Sequence, residues 1–139
     1  MLRRRHSRGH AVLELALLSP WILLLFAGTL DMGFYAYALI ATQNAARVAA
    51  ESASFKPAAA SDSTLACQMA LPEMSAMSNV RNLSTCGAAP LVVSARSFND
   101  ADGALATEVT VTYTTNQLFP LPFLTGRLTI TRKVQMRVA

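Results

Sequence analysis

The residues of this chain that could do chemistry are few. The two histidines, His6 and His10, lie at the N-terminal end, and the two cysteines are Cys67 and Cys86. The sequence has no glycine-rich phosphate loop, no Gly-x-Ser-x-Gly elbow and no His/Cys cluster with the spacing of metal ligands. We therefore predict that the protein is not an enzyme and binds no metal, cofactor or small-molecule substrate.

Cys67 and Cys86 can form a disulfide if the part of the chain that carries them lies in an oxidising compartment. The bridge would close a loop of about 20 residues, which stabilises a fold by about 3 kcal/mol in the chain-entropy treatment. Two buried free thiols are the alternative. The cysteines have no matching pair of histidines, so they do not make a zinc site.

Glu14 is a carboxylate near the start of a long apolar stretch. Inside a membrane span a carboxylate costs on the order of 2.5–3.5 kcal/mol at the centre and less near the edge. Glu14 therefore needs either a partner or a position close to the lipid headgroups. The second explanation is open because the start of a helix favours an anion through the helix dipole.

The apolar stretch, residues 11–30, is long enough to cross a hydrocarbon core of about 30 Å. Pro20 lies inside it and predicts a mild kink. Four arginines lie among the first eight residues, whereas residues 10–139 carry eight basic and eight acidic side chains. This distribution argues against a nucleic-acid-binding face. It predicts a single-pass membrane protein with the N-terminus in the cytoplasm and the C-terminal part on the outer side.

A helix-forming composition continues beyond the apolar stretch to Ser54, and Pro57 ends it. A helix from Ala11 to Ser54 would be about 66 Å long, roughly twice the bilayer core, so its second half must leave the membrane as a stalk. Asp31 marks the predicted outer interface. The predicted organisation is a basic leader at 1–9, a transmembrane helix and stalk at 10–56, and a small extracytoplasmic domain at 57–139.

The segment after Pro57 predicts a small domain of short helices and strands. A second helix starts near Thr64, with Asp62 or Ser63 as its cap, and Pro72 splits or kinks it. Alternating apolar and polar residues then predict strands at 90–98, 105–115 and 127–138. The fold class is therefore α+β, with a long N-terminal helix followed by short helices and an antiparallel sheet of three or four strands.

The last of these strands has one unusual residue on its apolar face. Leu128, Ile130, Val134, Met136 and Val138 face one way, but Arg132 interrupts them. An apolar connection, residues 116–126, precedes this strand, and its two prolines exclude a helix or a central strand there. We expect this connection to fold back on its own sheet or to pack against a partner subunit.

Residues 9–14 resemble the processing site of type IV prepilins, in which a basic leader ends in Gly and Glu is the fifth mature residue. The resemblance implies that a prepilin peptidase cuts between Gly9 and His10, where glycine offers a flexible backbone without a side chain. It also implies that Glu14 of one subunit pairs with the new α-amino group of His10 on a neighbour. That pairing would offset the cost of burying the carboxylate and would set the axial register.

A longer stretch is similar to the N-terminal region of TadE-like proteins, pseudopilins of the tight-adherence (Flp) pilus system. The features that carry the similarity are Gly9, Glu14, Pro20, Asp31, Gly33, Tyr37 and the run 44–47. Residues 105–139 also resemble the C-terminal strand pair of this family. The resemblance implies a minor pilin or pseudopilin that helps to assemble a pilus for adherence or secretion. It also implies that the chain is inserted in the bacterial inner membrane, with the C-terminal domain in the periplasm or outside the cell. Its partners would be other pilin subunits and the inner-membrane assembly platform.

Two other interpretations remain open. In the first, the chain is an uncleaved single-pass membrane protein whose outer domain scaffolds or binds partners, and Glu14 is only an interfacial charge. In the second, an ordinary signal peptide is removed after Ala38 and the rest is secreted. The interpretations differ in the mature mass, because the chain loses nine residues, none beyond Met1, or roughly 38.

Overall fold

The computed structural model describes residues 7–116 and 126–139, with side chains from His10 onward. Most of the predicted leader and most of the predicted apolar connection lie outside these residues. The described elements are one long helix, a 3-10 turn, a short helix and four strands. The predicted α+β class is confirmed.

The long helix α1 runs from Ser7 to Ser54 and has 48 residues. It begins within the predicted leader, four residues before the expected start at Ala11, and it continues through Pro20 without a break. At 48 residues it is about 72 Å long. The helix is long and apolar enough to cross a membrane, and within the described part of the chain its most apolar stretch is not buried.

A side chain compensates for the proline inside α1. Pro20 has no N–H, so it cannot donate to the carbonyl of Ala16 as an ordinary helical residue would. The hydroxyl of Ser19 donates to that carbonyl instead, with an oxygen–oxygen distance of 3.1 Å. The backbone acceptor therefore stays satisfied where no water would reach it in a membrane.

The second half of α1 presents a face of small side chains to the rest of the fold. The buried residues recur at three- and four-residue spacing, and they are Ala38, Ala41, Thr42, Ala45, Ala46, Ala49, Ala50 and Ala53. Alanine lets the backbones of α2 and the sheet approach closely, and its burial costs no side-chain entropy. This alanine face is the contribution of α1 to the hydrophobic core, to which α2 also contributes.

After α1, a 3-10 turn at Pro57–Ala59 leads to helix α2, Ser63–Glu73. Asp62 is its cap, because the Oδ1 atom accepts from the N–H groups of Thr64 and Leu65 at 2.9 and 3.1 Å. Pro72 lies in the last turn of α2. The expectation that Pro72 splits this segment into two helices is therefore wrong. The segment forms a single helix that ends one residue after Pro72, and turns follow it.

The sheet is an antiparallel meander in the order β1-β2-β3-β4. Its strands are β1 Gly87–Ala88, β2 Leu91–Asn99, β3 Leu105–Thr114 and β4 Thr129–Arg137. The three long strands confirm the predicted ones, and the two-residue β1 adds a fourth. The turn between β2 and β3 contains Gly103 at a φ of 77°, a conformation that glycine adopts without strain.

The inner face of the sheet packs on α1 and α2. Thr107, Val109, Val111 and Tyr113 of β3 are completely buried. The hydroxyl of Tyr113 donates to Oδ1 of Asn79 at 2.8 Å, and the amide of Asn79 donates to the Thr114 carbonyl at 3.0 Å. Burial raises the pKa of Tyr113. At the far end, the N–H of Ala139 donates to the carbonyl of Ser54, which ties the chain after β4 to the end of α1.

Candidate functional site: the exposed half of the long helix

The candidate processing and assembly residues lie in the first two turns of α1. Gly9 and His10 are inside the helix, since α1 begins at Ser7, and Glu14 is one turn further along. Four residues of helix separate His10 from Glu14 by about 6 Å along the axis. The side chains of His10 and Glu14 are exposed, and neither makes a hydrogen bond or an ion pair within the described part of the chain.

The side chains around Glu14 are large, apolar and uncovered. Leu13 is 70% exposed, Leu17 75% and Trp21 66%. A soluble monomer would not leave so long an apolar surface in water. Together with the length of the helix, this exposure is consistent with a bilayer or other helices around residues 10–30.

Asp31 is the point at which the protein begins to cover α1. It is 7% exposed and is the first buried residue of the helix beyond His10. It lies beside Thr115, Gly126 and Leu128, which flank the connection between β3 and β4. The predicted change of environment at Asp31 therefore coincides with the start of the packed fold.

Cys67 and Cys86 form a disulfide, which confirms the first of the two alternatives for the cysteines. The bridge spans 19 positions and joins α2 to the residue before β1. An open cleft of about 280 Å³ lies beside it. The lining has no acidic, basic or histidine side chain and consists of Ser63, Thr64, Cys67, Gln68, Ser84, Thr85, Cys86, Gly87 and Val93. The cleft therefore has no side chain suited to general acid–base chemistry.

The sequence did not single out a buried carboxylate on the outer face of the sheet. Glu108 is 6% exposed, although its neighbours along β3 gave the expectation of one solvated face. Its two oxygens accept from Nε of Arg96 and from Nε2 of Gln135, each at 2.7 Å. These hydrogen bonds lower the pKa of Glu108. The burial of Glu108 depends on the cross-strand register, which places Arg96 and Gln135 opposite it and which the sequence alone does not give.

Among the described residues, no group of three or more His, Cys, Asp or Glu side chains is placed to hold a metal ion. At the end of the sheet, Arg137 forms ion pairs with Asp100 and Asp102. These acidic residues thus belong to a surface ion-pair cluster, and their position in a turn matches the ordinary structural role of Asp.

The fold and the exposed helix define a class of protein: a small α+β domain carried by one helix that is long and apolar enough to cross a membrane. The family model described as TadE-like protein matches residues 9–51 of this chain. The match confirms the predicted resemblance to TadE-like proteins, a structural, non-enzymatic kind of protein related to the Tad pilus. No curated protein and no solved structure matches the chain.

Proposed function

We propose that this protein is a minor pilin or pseudopilin that takes part in the assembly of a Tad-type pilus for adherence or secretion. The observation that carries the proposal is the family match, which covers the apolar helix from Gly9 to Glu51. The uncovered apolar side chains of residues 12–30 support it, because a helix of this kind packs either among lipids or among other helices.

In this proposal the N-terminus lies in the cytoplasm, the apolar helix crosses the inner membrane and the domain from Pro57 onward is periplasmic or extracellular. The basic leader supports this orientation through the positive-inside rule. The Cys67–Cys86 disulfide supports it as well, since such bonds persist in oxidising compartments.

A prepilin peptidase then removes residues 1–9 by cutting between Gly9 and His10. The bond lies in the first turn of α1. The first four N–H groups of a helix have no partner within the helix, so the peptidase can open this turn at little cost. The new α-amino group on His10 pairs with Glu14 of a neighbouring subunit, and this contact compensates for the carboxylate in an apolar bundle.

The alternative is an uncleaved membrane-anchored protein that scaffolds or binds partners. The helix begins at Ser7, before the proposed cleavage bond, and is continuous through it. An uncleaved chain would keep this geometry unchanged. Removal of an ordinary signal peptide after Ala38 has less support, because Ala38 is completely buried in the core face of α1.

The mature N-terminus decides between these functions. We would determine it by mass spectrometry on protein from membranes of cells with and without the cognate peptidase. A start at His10 that depends on the peptidase is the expected result, and an intact leader in both strains would overturn the proposed processing. Glu14→Gln is then expected to abolish pilus incorporation while leaving membrane insertion intact, and retention of incorporation would exclude Glu14 as the assembly contact.

A further inference from the structure

Arg132 is the residue of the sheet that the fold itself does not explain. It lies on the face of β4 that packs on α1, between Ile130 and Val134, which contribute to the core. It is half-buried and lines a cleft of about 270 Å³ between the strand and the stalk. The stalk supplies the other wall of this cleft with Leu39, Ile40, Gln43 and Asn44.

The guanidinium of Arg132 has no acidic partner among the described residues. It makes no side-chain hydrogen bond and no ion pair within residues 7–116 and 126–139. A partly buried guanidinium loses hydration, and a carboxylate is the group that best replaces it through two parallel hydrogen bonds. The two amide side chains of the stalk add neutral polar contacts, and Ile40, which is 61% exposed, adds an uncovered apolar one.

A lipid phosphate is too far away to fill this cleft. The stalk residues that line the cleft begin at Leu39, eight residues beyond Asp31, where the protein starts to cover the helix. Eight residues of helix extend about 12 Å, whereas the headgroup layer adds roughly 5–8 Å on each side of the hydrocarbon core. With Asp31 at the outer interface, as in the proposed function, a lipid phosphate does not reach the cleft, whereas a carboxylate of a neighbouring subunit can.

A neighbouring stalk can offer one carboxylate. Between residues 32 and 54 of α1 the sole acidic residue is Glu51, which is exposed and makes no ion pair within the described part of the chain. It lies seven to eleven residues beyond Ile40–Asn44, so the Glu51 of the same chain is about 10–17 Å away along the axis. We propose that the cleft binds Glu51 of a second copy of this chain, with Arg132 as its ionic partner.

This contact predicts the stagger between the two copies. Glu51 reaches the level of the cleft when the second stalk is displaced by about 13 Å along the helix axis. Pairing of Glu14 with the His10 amine would displace neighbouring subunits by about 6 Å, which is near half of this value. Different neighbours in one array can therefore satisfy the two contacts. Two copies at the same depth in a bilayer cannot form the contact between Glu51 and Arg132. The inference thus rests on the proposed function and names one subunit interface of the assembled filament.

Cysteine cross-linking between co-expressed copies tests the contact. One copy carries Glu51→Cys and the other Arg132→Cys, and the native pair Cys67–Cys86 is already bonded and leaves the new thiols free. We expect mixed dimers in oxidised, sheared filaments and not in the membrane fraction. The matched control is Glu51→Cys with Arg47→Cys, which reports a displacement of about 6 Å and is expected to give at least about fivefold less dimer.

The outcomes separate the two proposals. If filaments contain the chain but the Glu51–Arg132 dimer is missing or weaker than the Glu51–Arg47 dimer, the inference is wrong and the proposed function stands. If the chain is absent from filaments of cells that make them, both fail. Dimers of equal yield in membranes would also contradict the inference, because they would form without the axial displacement.

Charge exchange supplies the energetic test. Arg132→Glu and Glu51→Arg are each expected to lower the amount of chain in filaments about fivefold, and the two together to restore it. Lys133→Glu makes the same charge change one residue along β4, on the exposed outer face, and is expected to leave the amount unchanged. Formation of the Cys67–Cys86 bond in each variant checks that the domain has folded. A double variant as weak as the singles, with that bond intact, would exclude the pairing.

Discussion

At the scale of single residues, the hydroxyl of Ser19 supplies the hydrogen bond to the Ala16 carbonyl that Pro20 cannot make. Ser19→Ala removes the donor to the Ala16 carbonyl and leaves that acceptor unpaired in an apolar environment. We expect helix insertion to become less favourable by about 1–2 kcal/mol, as measured by a glycosylation-based insertion assay. In a Pro20→Ala background the backbone N–H is restored, so Ser19→Ala should have little effect. An equal loss in both backgrounds would contradict this role.

Glu108 predicts how the domain responds to acid. Its pKa is lowered in the fold by the hydrogen bonds from Arg96 and Gln135. A carboxyl whose folded pKa lies below its unfolded pKa adds stability above the usual value near 4.5, and loses it as the pH falls through the folded pKa. Chemical unfolding from pH 7 to pH 2 should therefore show a loss below about pH 4.5 that Glu108→Gln reduces. The control, Glu73→Gln, changes an exposed carboxylate without an ion pair in the described residues and should leave the profile unchanged.

The disulfide also belongs to the scale of residues, because its effect on stability depends on one bond between the sulfur atoms of Cys67 and Cys86. Cys67→Ser with Cys86→Ser should lower the free energy of unfolding by about 2–4 kcal/mol in urea titration. Each single replacement breaks the same bond, so the single variants should lose about as much as the double variant. A double variant as stable as the parent would mean that the bridge does not support the fold.

The sequence identified some of these residues and not others, for physical reasons. Cys67 and Cys86 were predictable as a pair because they are the only two cysteines. Glu108 was not, since its burial depends on which residues of β2 and β4 lie opposite it, and register is a property of the assembled sheet. Arg132 was visible as an interruption of the apolar alternation, but the absence of an acidic partner required the packed structure.

At the scale of elements, the alanine face of α1 determines how closely the sheet and α2 approach the stalk. Ala49 is completely buried in this face. Ala49→Leu adds volume that the facing elements have no space for, and we expect a loss of about 1–3 kcal/mol in the free energy of unfolding. Ala36→Leu is the matched control, because Ala36 is exposed on the same helix. Equal effects of the two substitutions on a urea titration would show that the face is not tightly packed.

The elements were predictable to different degrees. The long helix and the three long strands follow from local composition and period, and the structure has all four. The end of α2 does not follow from Pro72 alone, because a proline near the end of a helix and one in the middle leave similar sequence signals. The two-residue β1 has too few residues to show a period, and its pairing with β2 depends on the position of the neighbouring chain.

At the scale of the whole molecule, α1 belongs to two environments, and the division is at Asp31. Residues 10–30 are exposed or half-exposed, whereas beyond Asp31 one face of the helix forms the core with α2 and the sheet. The composition of the sequence predicted this division, since the apolar stretch ends there. The interface between the stalk and the sheet was not predictable, because it requires the relative placement of segments that are distant in sequence.

This division predicts that the outer part of the molecule folds without the exposed apolar half of α1. A chain that begins at Thr29 keeps Asp31 and the whole alanine face, and it loses side chains that contact little else in the described structure. We expect it to be soluble without detergent, to form the Cys67–Cys86 bond and to melt within a few degrees of the full chain in detergent micelles. A matched chain that begins at Asn44 removes Ala38, Ala41 and Thr42 from the core, and the loss of this buried surface should leave it unfolded. Equal melting of the two truncated chains would place the start of the packed unit beyond Asn44 and refute its assignment to Asp31.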